Sequence, residues 1–60
     1  MSVEGLVEDM REILENAVTD AEKHDAGNGA AGTRVRKAMQ QLKKSAQDVR
    51  LRVQADKNSR

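Results

Sequence analysis

Apolar residues recur along this 60-residue chain in two stretches, each with helical spacing. In the first, Val3, Leu6, Val7, Met10, Ile13, Leu14, Ala17 and Ala21 form a stripe wider than a strict coiled-coil seam, as the face of a bundle helix requires. Ser2 stands where an N-cap belongs, and Glu4, Glu8 and Asp9 lie near the positive end of the helix dipole. The pattern predicts a helix over about 3–24, with Gly5 weakening only its first turn. From His24 to Gly29 turn-forming residues break the period, and the turn is expected over about 25–32.

A second period begins after the turn. Val35, Met39, Leu42, Ala46, Val49 and Val53 alternate spacings of four and three, which predicts a helix over about 33–57 that packs on another helix. Asn28 or Thr33 caps it, and Asn58, Ser59 and Arg60 are expected to fray. A short connection between two amphipathic helices makes an antiparallel hairpin. The expected organisation is all-α, a single helical-hairpin domain over residues 1–60.

Composition changes this picture by making the core small. There is no Phe, Trp or Tyr and no Cys, so the apolar contacts come from short aliphatic side chains, and neither disulfides nor the usual zinc ligand sets can brace the fold. A chain of this length hides only about 60% of its unfolded surface. Self-association is the remaining source of stability, and a homodimer or higher oligomer is expected, as a four-helix bundle or coiled coil. No apolar run nears the roughly 18 residues of a membrane span, and the N-terminus carries acids where a signal peptide has cations. A soluble cytoplasmic protein is the expectation.

The net charge of +1 conceals a division. Residues 1–26 hold two cations against eight carboxylates, a net of −6, whereas residues 27–60 hold nine Lys and Arg against Asp48 and Asp56, a net of +7. Such asymmetry points to pairing between the halves or to an external polyanion. Glu8, Glu15 and Glu22 repeat every seven residues, as do Arg36, Lys43 and Arg50. Pairing Glu22 with Arg36, Glu15 with Lys43 and Glu8 with Arg50 gives residue numbers that always sum to 58, a single register centred near Gly29. With Asn28 as the cap, that register slips by about a turn and the match loosens. Arg34, Lys37, Lys44 and Arg52 are expected to project from the far side, near only Asp48, free for an external anion.

Other motifs carry less. Gly27, Gly29 and Gly32 spell GxGxxG, but a dinucleotide fingerprint needs a strand before it and an acidic residue on a later strand. A flexible interhelical turn explains the glycines, although N–H groups at a helix start also attract phosphate. His24 with Asp20 and Asp25 offers a thin metal set, and a His in a last turn more simply complements the negative helix end. Ser45 and Ser59 have no general base in reach, and Met10 and Met39 fall on the apolar stripes. No enzyme, no cofactor and no small-molecule substrate is expected.

Gly27-Asn28, Ala30-Ala31 and Arg34-Val35-Arg36, followed by Leu42, Lys44, Ala46 and Arg50, resemble the chlamydial linker-histone-like proteins and their short bacterial relatives. The likeness covers about residues 20–57, is most specific from Gly27 to Lys37, and matches the first helix mainly in pattern. It implies a bacterial, nucleoid-associated, structural protein that binds DNA with little sequence preference. The long Lys/Ala/Pro-rich tail of the chlamydial members is missing, and Gly29 replaces a Lys. Both departures remove positive charge. The short relatives resemble the chain over its whole length, which points to a complete chain.

Physically, cations that replace condensed counterions give affinity that grows with contact number and falls with salt. Gln40, Gln41 and Gln47 offer little base reading, and without aromatics there is no stacking on single strands. Duplex DNA is the expected partner, held by Arg34, Arg36, Lys37, Lys43, Lys44, Arg50 and Arg52, with an oligomer organising or compacting the chromosome in the cytoplasmic nucleoid. The rival reading is a protein–protein interaction module whose two charged halves merely set the hairpin. A membrane-surface helix is poorer, since Asp48 and Asp56 interrupt the basic face.

Overall fold

A computed structural model of the protein describes residues 2–59. Over those residues it contains two helices and no strand: α1, Val3–Asp25, and α2, Gly29–Asn58. They lie antiparallel against each other as a hairpin of 50 × 15 × 13 Å. Ser2 caps α1 as its position predicts, its Oγ accepting from the Gly5 N–H at 3.0 Å.

The turn is much shorter than the glycine content suggests. Gly27, at φ +106°, takes the left-handed conformation that a residue without Cβ adopts most easily. Around it the Gly27 N–H donates to the His24 carbonyl at 2.9 Å and the Asn28 N–H to the Lys23 carbonyl at 3.0 Å, the paired bonds of a Schellman C-cap. Asn28 then caps α2, its side-chain oxygen accepting from the Ala31 N–H at 3.1 Å. One residue thus closes one helix and opens the next. The second helix starts at Gly29 rather than near 33, because of the two candidate caps the earlier one is used and Gly29 and Gly32 are absorbed into the first turns of α2.

This early start shifts the register. Asp20 meets Arg34, with numbers summing to 54, and His24 lies on Gly32, summing to 56. The register summing to 58 is therefore not the one adopted. At the other end the helix holds through Asn58, where fraying was expected to begin. The Ser59 N–H donates to the Ala55 and Asp56 carbonyls, its hydroxyl donates to the Ala55 carbonyl at 3.0 Å, and the Gln54 and Asn58 side chains bond at 3.1 Å. The part of that expectation falling on Arg60 lies outside the described residues.

The seam is thin, as the short aliphatic composition dictates. Among the described residues only Ala17 and Ala31 are buried, at 5% and 0% exposure. Val3, Leu6, Met10, Ile13, Val35, Leu42, Val49 and Val53 are half-buried. The buried positions are thus both alanines, and the larger apolar residues keep part of their surface in water.

Candidate nucleic-acid interface

The hairpin has one polar broad face, one apolar broad face and a basic edge along α2. On the polar face Arg34 Nε donates to Asp20 Oδ1 at 2.9 Å, joining the helices, beside Asn16, Lys37 and Gln41. The apolar face holds a groove of about 720 Å³ lined by Val7, Met10, Leu14, Leu42, Ala46 and Val49, with Arg11 and Lys43 beside them. In the register of His24 on Gly32 the apolar residues fall into levels, Leu14 with Leu42, Met10 with Ala46, and Val7 with Val49.

The basic edge comprises Arg36, Lys37, Lys43, Lys44 and Arg50, all exposed. Gln40 and Gln47 interleave with them. A shallow depression lined by Gln40, Lys43, Lys44, Gln47 and Arg50 continues, through the shared Gln40, into one lined by Thr33, Arg36 and Lys37 nearer the turn. Among the described residues none of these five cations forms an ion pair; the pairs present are Arg11 with Glu8, Arg34 with Asp20, and Arg52 with Asp56.

The counter-charges fall differently from either open reading. Arg36, Lys43 and Arg50, for which pairing with Glu22, Glu15 and Glu8 was the alternative to DNA contact, lie exposed on the outer edge of α2 and are unpaired among the described residues. Arg34 and Arg52, expected to be free, are engaged: Arg34 with Asp20 across the seam, and Arg52 through Nε with Asp56 one turn along its own helix at 3.1 Å. Lys37 and Lys44 are exposed and unpaired among the described residues, in agreement with the sequence reading.

Two residues of the site escaped that reading. Asp20 reads in the sequence only as a weak metal ligand, yet it pairs with Arg34, as the earlier cap at Asn28 implies. Leu51, 59% exposed, continues the seven-residue series Lys37, Lys44 on the basic edge, and its departure from the apolar stripe was the available signal. His24 is exposed and its ring covers Gly32, while no group of three or more potential metal ligands is gathered among the described residues. No helix of the described residues is long and apolar enough to cross a membrane.

A helical hairpin with an uncompensated row of cations along one edge is a polyanion-binding architecture in its electrostatics. The family comparison agrees with that class. Residues 4–59 match the model of the family described as Histone H1-like protein Hc1, and the chain belongs to this histone-like family of nucleoid DNA-binding proteins. No curated protein and no solved structure matches the chain significantly.

Proposed function

We propose that this protein is a nucleoid-associated protein that binds duplex DNA without sequence preference through the basic edge of α2, and organises or compacts the chromosome as an oligomer. The observation that carries the reading is the row Arg36, Lys37, Lys43, Lys44 and Arg50, unpaired among the described residues, in a chain of a histone H1-like family. Thirty helical residues extend about 45 Å at about 1.5 Å per residue, long enough to follow many phosphates. Lys and Arg there release counterions, and Gln40 and Gln47 can donate to phosphate oxygens between them. Arg34 and Arg52 contribute less, since each shares its charge with a carboxylate.

Titration of duplexes of unrelated sequence in gel-shift assays at several salt concentrations tests this. Equal affinities are expected, with log K falling against log salt by about 0.9 per contact, hence by roughly three to five for three to five contacts on one protomer. Absence of binding even at about 50 mM salt defeats it. The apolar groove favours a second reading, a module that docks another protein. That reading predicts DNA binding no stronger than a weakly basic peptide shows, and capture of one dominant protein partner.

A further inference from the structure

The groove face of the hairpin is unfinished. Val7 and Leu14 in the groove are 45% and 50% exposed, and Val18 and Met39, one helical turn beyond Leu14 and Leu42 on the same faces, are 52% and 43% exposed, a concentration of apolar surface on a chain with two buried residues among those described. The whole broad side of the hairpin, 50 × 15 Å in extent, is close to the roughly 800 Å² per partner of a standard stable interface, so a partner must cover most of its length. We propose that a second copy of the chain covers it, docked by a two-fold axis parallel to the helices, so that each α1 lies on the partner's α2. This rests on the oligomer invoked above and specifies its face and symmetry.

Charge decides between the two ways of laying one such face on another. A two-fold axis across the helices sets α1 on α1 and α2 on α2, acid against acid and base against base. An axis along them sets the −6 half on the +7 half at both contacts. In this second arrangement residues of equal height meet, so the levels Leu14 and Leu42, Met10 and Ala46, and Val7 and Val49 each gather four side chains into one core. Lys43 lines both the groove and the basic edge and therefore stands at the rim of the contact. By helical rotation Arg36 lies on the same rim of α2, and Glu15 and Glu22 on the corresponding rim of α1.

The ion pairs that the hairpin leaves unmade are thus made between hairpins. Glu15 faces the partner's Lys43 and Glu22 the partner's Arg36, each two residues off level, about 3 Å along the axis and within side-chain reach. Arg11 on the α1 rim is already held by Glu8 at 3.3 Å. The two α2 helices occupy opposite corners of the bundle. Their Lys37 and Lys44 edges face in opposite directions, so one dimer holds two duplex segments.

The test uses the whole chain without DNA. Light scattering is expected to give a dimer; a monomer overturns the proposal. A spin label on Ala26→Cys, an exposed turn residue in a chain without other Cys, reads the symmetry. Turns at the same end give a label separation of roughly 15–30 Å for helices spaced about 8–10 Å apart. A separation extending toward the 50 Å hairpin length overturns the axis proposed. Either failure leaves DNA binding to be judged by its own titration, because that reading fails only if duplex is not bound.

Discussion

Arg34 and Asp20 join the two helices near the turn, Nε to Oδ1 at 2.9 Å, with the Arg side chain 49% exposed and the Asp 21%. Their pairing marks the register that the short turn imposes and removes Arg34 from the free cations. Because solvent screens so exposed a pair, it is worth at most about 1 kcal/mol. Arg34→Ala is expected to lower urea stability by no more than that. It should also weaken duplex binding less than Lys44→Ala, since the Arg34 charge is already shared. Equal losses of DNA affinity in the two variants would contradict the division of the cations drawn here.

A methyl group at Gly32 would overlap the His24 ring. Replacing a helical Gly by Ala alone stabilises by about 1 kcal/mol, so Gly32→Ala is expected to be near neutral, the helix gain offset by displacement of His24. In a His24→Ala background the same change should stabilise by about 1 kcal/mol. Melts at one fixed protein concentration complete the cycle, and additive effects would show that His24 does not rest on Gly32.

Leu51 interrupts the basic edge without contributing to the seam. Leu51→Lys should leave stability within about 0.5 kcal/mol. Measured over a salt series, its DNA affinity should rise and its salt slope steepen by about 0.9 per protomer. An unchanged slope would place that stretch of α2 off the DNA.

Lys43 is assigned two tasks, one toward phosphate and one toward the partner's Glu15. Lys43→Glu is expected to weaken both duplex binding and the dimer, each by several-fold. Adding Glu15→Lys restores the opposite charges across the dimer contact while position 43 itself stays acidic. Sedimentation should therefore show the dimer recovered in the double variant, with DNA binding at position 43 still impaired. A dimer indifferent to both substitutions would remove these pairs from the contact.

Much of the local structure is legible in the order of residues, because it depends on neighbours within a few positions. Ser2 caps α1, the two apolar stripes mark the sides on which the helices meet, although Val7, Leu14 and Met39 stay exposed, and the concentration of cations after residue 27 identifies α2 as the basic element. The family is legible as well, and its model matches residues 4–59. The charge pattern also shows that some cations exceed what the acidic helix offers nearby.

The particular cations left over were settled only by the tertiary structure. That outcome depends on axial position and on which edge of its helix each side chain occupies, and one choice at the turn fixes the first: Asn28, serving as the cap of α2 while its N–H closes α1, starts the second helix at Gly29 and moves its side chains past those of α1. Ion pairs require groups within a few ångströms, so the register gives Arg34 to Asp20, while Arg36, Lys43 and Arg50, on the outer edge of α2, have no partner among the described residues. Helical periodicity is a property of each segment, whereas register belongs to the pair of helices and is set where the chain reverses.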